Sequence, residues 1–136
     1  MIYALDSNTI SYMLRGEGNV LDAFKRESTR GNQYTIPFVV VHEIKRWLLY
    51  KSTKILQDYN REFDSLFKPI EHRAEMPLSV WEKATDIHIS LKRTGQLIGS
   101  ADILIAAYCL VNDYTLVTRN ISDFGCIGGL KLVDWY

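Results

Sequence analysis

Short β-type runs alternate with helix-type stretches along this chain, and that alternation leaves few architectures open. Ile2 to Leu5 reads as a buried strand, ended by Asp6-Ser7-Asn8-Thr9, a cluster of helix N-cap residue types. Tyr34-Thr35-Ile36 reads as a second strand, Thr115-Leu116-Val117-Thr118 as a third and Lys131 to Val133 as the last, with a brief strand expected near Ile70. Helices fill the gaps. One runs to about Leu14 and stops near Gly16; the next starts at Val20, Leu21 and Phe24 and ends before Gly31. After Pro37, the β-branched run Val39-Val40-Val41 favours strand by propensity. The spacing of Val40, Ile44, Trp47 and Leu48 is helical, and it predicts a helix from about Pro37. Leu56, Tyr59, Phe63, Leu66 and Phe67 predict another; Pro77 opens a third, with Trp81, Ala84, His88 and Leu91 on one face and Gly95 at its end. Asp102 then heads a short apolar helix from Ile103 to Leu110. Strands and helices in this order predict an α/β fold, a three-layer α/β/α sandwich on a short-stranded parallel sheet with right-handed crossovers.

Four acids stand where such a sheet keeps its chemistry. Asp6 follows the first strand, Glu43 the second, Asp102 heads its helix, and Asp123 lies in the polar turn Arg119-Asn120-Ile121-Ser122-Asp123 after the third. In a parallel sheet these junctions share the edge at the carboxyl ends of the strands, where ligands bind. Taken singly, each acid has an ordinary structural use as an N-cap, a helix-start residue or a turn residue. Four carboxylates sharing one edge repel one another unless a divalent cation neutralises them, and oxygen-only ligands suit Mg²⁺ or Mn²⁺. A metal held in this way is equipment for cutting a phosphodiester. Asn8, Thr118 and Asn120 flank the acids as supporting groups.

Other chemistries find no purchase. The chain has no G-x-x-x-x-G-K-[ST] loop, GxSxG elbow or HExxH motif. His42 adjoins Glu43 but points about 100° away on a helix, and His88 falls on an apolar stripe. The 136 residues, 47% of them hydrophobic, suffice for one domain over residues 1–136 with one core. Lys and Arg total 16, as do Asp and Glu, so whole-chain charge does not announce a polyanion partner. A local basic stretch, Lys45, Arg46, Lys51 and Lys54, follows Glu43; Lys45 and Arg46 are the candidates for contact with a polyanion backbone, against the plainer reading of a solvated helix face. Cys109 and Cys126 match neither a zinc spacing nor a disulfide framework, and no apolar stretch is long enough for a membrane span. A soluble, cytoplasmic protein is expected.

Several segments resemble one family. Leu5-Asp6-Ser7-Asn8-Thr9 resembles the opening LDTN of PIN-domain nucleases, with Ser7 where Thr is commoner. Gly99-Ser100-Ala101-Asp102-Ile103-Leu104-Ile105-Ala106-Ala107 is similar to their G-x-x-D-x-x-I-A-A segment. Leu116-Val117-Thr118-Arg119-Asn120-Ile121-Ser122-Asp123-Phe124, with Asp134-Trp135, resembles the ending of the VapC branch, the toxins of VapBC toxin–antitoxin pairs. The resemblance implies a PIN fold and a Mg²⁺- or Mn²⁺-dependent endoribonuclease. It also implies a homodimer, inhibition by a VapB-like antitoxin, and Asp6, Glu43, Asp102 and Asp123 as the acidic quartet. Three alternatives remain at this point, one of them a DNA-directed or structure-specific nuclease of the same fold. A non-catalytic RNA-binding module would signal itself by a broken acidic set, and a phosphoaspartate receiver wants adjacent acids after its first strand, which Asp6-Ser7 does not supply.

Overall fold

The computed structural model describes residues 1–136. Four strands, β1 (Ile2–Leu5), β2 (Gln33–Thr35), β3 (Thr115–Val117) and β4 (Lys131–Val133), form one parallel sheet in the order β2-β1-β3-β4. Seven helices connect them: α1 (Ser7–Leu14), α2 (Gly18–Thr29), α3 (Phe38–Tyr50), α4 (Lys54–Phe67), α5 (Leu78–Arg93), α6 (Ser100–Asn112) and α7 (Ile121–Phe124). The register pairs Ala4 with Thr35 on one side and with Leu116 on the other, which leaves β1 and β3 fully flanked. The chain leaves β1 toward one edge of the sheet and leaves β3 toward the other. With right-handed crossovers, the helices therefore cover both faces, and the α/β/α expectation holds. The same reversal creates a switch point at the carboxyl ends of β1 and β3, where open α/β sheets form their crevice.

Packing decides the helices against local propensity. Pro37 caps α3, and Val40, Ile44 and Leu48 are buried along it, so the helical stripe wins over the β-branched run. α6 is buried nearly all round, through Ile103, Ile105, Ala106, Ala107, Tyr108 and Cys109, and forms the centre of the core. Gly31 and Gly95, with φ of 82° and 71°, follow α2 and α5 in the left-handed conformation that ends a helix.

Three expectations need correction. No strand forms at Ile70: Lys68–Arg73 is a 3₁₀ helix, with Pro69 in its first turn and Ile70 alone buried. The buried stripe of α5 is Val80, Ala84, Ile87 and Leu91, offset from the expected face. Trp81 is 52% exposed, its indole N–H donating to the Met76 carbonyl at 3.0 Å, and His88 is half-buried. The acidic turn after β3 contains the short helix α7.

Two buried polar groups tie the layers together. The Tyr108 hydroxyl donates to the Arg73 carbonyl and lies 2.6 Å from Thr35 Oγ1, joining α6 to β2 and to the 3₁₀ segment. Tyr108→Phe leaves two buried partners unpaired, and we expect a loss of about 1–3 kcal/mol in urea unfolding with little change in fold. Glu27, buried on α2, accepts from Asn32 at 2.8 Å and from Tyr3 at 3.3 Å, and lies against Arg26 and Arg30. Desolvation pushes its carboxyl up, but the donated hydrogen bonds from Asn32 and Arg26 outweigh it and hold Glu27 below the usual range.

Candidate active site

Each acid reaches the switch point from a different element. Asp6 leaves the end of β1, where its N–H donates to the Val117 carbonyl at 3.4 Å, and it caps α1 by accepting from the Thr9 N–H at 2.8 Å. It is 7% exposed. Thr9 braces this corner, donating Oγ1 to the Val117 carbonyl at 3.2 Å and lying 3.0 Å from the Tyr136 hydroxyl. Asp102 stands in the first turn of α6, whose cap, Gly99, offers no side chain. Glu43 sits one turn into α3, with Ser7 Oγ 3.5 Å from its Oε1. Asp123, exposed on α7, accepts at Oδ2 from Asn120 Nδ2 at 3.0 Å, and the Asn120 N–H donates to Thr118 Oγ1 at 3.0 Å.

These carboxylates feel one another. Burial, then the charges of Asp6 and Asp123, raise Asp102 above the ordinary aspartate range. Burial and then Asp102 raise Glu43, with a smaller push from Asp6, while Arg46 and the Ser7 hydrogen bond pull it back. Asp102 thus links all four acids, and no lysine or arginine pairs with any of them at salt-bridge distance. No three His, Cys, Asp or Glu side chains are drawn together at cation-ligand distance. Asp6 is engaged by the Thr9 N–H and Asp123 by Asn120. The donor set nevertheless fits a hard divalent cation: carboxylate oxygens, with amide and hydroxyl oxygens behind them. The His42 ring beside Glu43 is exposed, and the Cys126 thiol is turned onto the Asp123 carbonyl at 2.9 Å.

The basic stretch divides. Lys45 turns away from the acids onto Asn60 and Asp64, both at 2.6 Å, with its ammonium 5.4 Å from the centre of the Phe63 ring. These contacts tie α3 to α4 through Lys45. Arg46 lies on the face of α3 that Glu43 occupies and lines a cleft of about 380 Å³ with Ser7, Asn8, Ser11, Arg15, Glu43 and Trp47. Sequence reasoning missed Thr9, Tyr136 and Arg15. The spacing of Ser7, Ser11 and Arg15, four residues apart on α1, was a readable signal for the last. Tyr136, brought back from the end of the chain, had none. A larger cleft of about 610 Å³ is lined by Phe38, Val39, Met76, Pro77, Trp81 and Leu104, with Glu75 as its one acid. It holds none of the four clustered carboxylates.

A parallel sheet carrying carboxylates at its switch point is the architecture of the PIN domain, and the PIN-domain family model matches residues 3–124. The chain belongs to that family. Within it, the chain is 29% identical to Ribonuclease VapC2 of Rickettsia felis, covering 99% of this chain and 98% of that protein. It is 25% identical to Ribonuclease VapC1 of Haemophilus influenzae strain R2866, again over 99% and 98%. In fold it is similar to a chain in the crystal structure of VapBC2 from Rickettsia felis bound to a promoter DNA fragment, with a TM-score of 0.85 at 24% identity over 100% of both chains. VapBC-1 from nontypeable Haemophilus influenzae gives 0.83 at 22% identity, over 99% and 98%.

Proposed function

We propose that this protein is a Mg²⁺- or Mn²⁺-dependent endoribonuclease of the VapC kind, held inactive by a VapB-like antitoxin. The observation that carries the reading is the set of four carboxylates, coupled through Asp102 and with no lysine or arginine at salt-bridge distance, at the switch point of a parallel sheet. Relatives named ribonuclease support RNA as the substrate, with a structured RNA such as tRNA expected, and the VapBC complexes support the antitoxin. We place its action in the cytoplasm, in keeping with two free cysteines and with the lack of any helix long and apolar enough to cross a membrane. A homodimer belongs to the same reading.

Asp6 and Asp102 would hold the cation, and Asp123 would complete the site. When bound there, Mg²⁺ or Mn²⁺ would supply charge neutralisation at the phosphoryl oxygens and make water a better nucleophile. Glu43 accepts a hydrogen bond from the attacking water and orients it in line with the leaving oxygen. The water oxygen bonds to phosphorus as the P–O3′ bond breaks, the 3′-oxygen takes up a proton, and the products are a 5′-phosphate and a 3′-hydroxyl. Thr118 positions Asn120, and Asn120 fixes Asp123 beside the scissile phosphate. Arg46 steadies the RNA backbone.

The test is incubation of the antitoxin-free protein with a total RNA pool, with Mn²⁺ or with EDTA, beside Asp6→Asn. Cutting that needs metal and is lost in Asp6→Asn is expected. A folded protein that binds RNA but never cuts it would leave a binding module on a PIN frame.

A further inference from the structure

The cleft beside Glu43 has a composition that the acidic cluster does not explain. Four carboxylates repel an RNA strand, so the phosphates on either side of the scissile one need compensating positive charge close by. The cleft supplies it from two helices: Arg15 from the end of α1 and Arg46 from α3, with Ser7, Asn8 and Ser11 along its floor and Trp47 as an apolar wall. Neither guanidinium has a carboxylate partner at salt-bridge distance. Of the other fourteen cations, six (Arg26, Arg30, Lys45, Lys54, Arg61 and Lys131) are paired and eight are not, so what distinguishes Arg15 and Arg46 is their place in one cleft beside the acids.

Arg15 is also aimed in advance. Its Nη2 donates to Ser11 Oγ at 2.8 Å and its Nε to the Ser11 carbonyl at 3.3 Å. The guanidinium lies over the Tyr12 ring, 5.0 Å from its centre, and that ring packs edge-on against Tyr136. A guanidinium fixed in this way loses less freedom on gripping a phosphate than a free lysine would, and its remaining N–H groups suit a forked contact.

We infer that Arg15 and Arg46 form a phosphate subsite that seats the backbone of the RNA strand next to the scissile bond, with Arg15 as the pre-oriented member. The inference rests on the endoribonuclease reading and specifies how the substrate is held. The contact is to backbone, so it contributes affinity and register without reading sequence.

The experiment measures binding of a short fluorescein-labelled oligouridylate across a salt series, in the Asp102→Asn background so that the RNA stays intact. Arg15→Gln and Arg46→Gln are compared with Arg93→Gln, an exposed position on α5 outside the cleft. Each cleft variant is expected to flatten the log–log salt slope by about 0.7 and to weaken binding roughly fivefold, with an unchanged melting temperature. Arg93→Gln should change neither. In the cleaving protein, Arg15→Gln should raise KM while kcat stays within about twofold. Salt slopes and affinities equal to the background would overturn the subsite. So would a loss confined to binding of a VapB-like antitoxin, which would give the cleft to the protein partner. The two readings separate cleanly: altered binding with a parent protein that cuts no RNA keeps the subsite and removes the nuclease. Metal-dependent cutting with unaltered binding does the reverse.

Discussion

Asp102→Asn is expected to lose RNA cleavage by at least about a thousandfold and yet, in metal-free buffer at neutral pH, to melt above the parent protein. The two effects have one source. Asp102 is raised first by burial and then by Asp6 and Asp123, so its ionised form is disfavoured in the fold relative to the unfolded chain. Such a group contributes stability that is present below its unfolded-state pKa and is lost as pH rises through its folded-state pKa. Asparagine keeps the shape and never ionises, so the penalty disappears at neutral pH, and the two proteins should converge in acid. Glu43 is raised by burial and by Asp102, so the variant relieves it as well. Adding Mg²⁺ should reverse the order. A cation that binds only the folded parent stabilises it by about 2.7 kcal/mol at a hundred times its Kd, and the variant should gain much less. Paired thermal melts across pH, with and without Mg²⁺, check this. A variant that melts below the parent in metal-free neutral buffer would mean that Asp102 serves the fold rather than the site.

Phe63→Ala carries the largest expected loss of stability, about 3–5 kcal/mol, a large part of what holds a chain of this size together. Phe63 is the buried residue of α4, fully enclosed, stacked against Phe67 at 5.9 Å and covered by the Lys45 ammonium. The rest of α4 is half-exposed or exposed, so this ring is the main anchor of α4 against α3. Because α3 carries Glu43 and Arg46, loosening the pair should cost activity before the protein unfolds globally. Urea titration measures the first effect and RNA cleavage below the unfolding midpoint the second. Phe63→Leu, which keeps most of the volume, should cost far less. Equal stability of Phe63→Ala and the parent would show that α4 is held by its edges.

Much of this was legible because single residues carried strong, local signals. The β1 run and its N-cap cluster located Asp6, and helical spacing through Val40, Ile44 and Leu48 overruled three consecutive valines in α3. Alternation of strands and helices implied the parallel sheet and placed four acids at one edge of it. Ile70 misled because one apolar residue between Pro69 and charged neighbours carries no period, so strand and 3₁₀ turn look alike. Trp81 misled through its size: the phase of α5 is set by Val80 and Ile87, and the indole lies outward on the surface. The pairing of Lys45 with Asp64 was not legible, because Asp64 lies on the next helix and pairing between helices leaves no trace in local sequence. Tyr136 is placed beside Thr9 and Tyr12 by the β4 register alone, which no motif announces.

The most direct measurement is end-group analysis of RNA cut by the antitoxin-free protein in Mn²⁺, with EDTA and Asp102→Asn as controls. The account predicts fragments with 5′-phosphate and 3′-hydroxyl ends, produced only with metal and only by the parent. Fragments with 2′,3′-cyclic phosphate ends, or cutting that survives EDTA and Asp102→Asn, would contradict it, since the 2′-hydroxyl or another site would then be doing the chemistry.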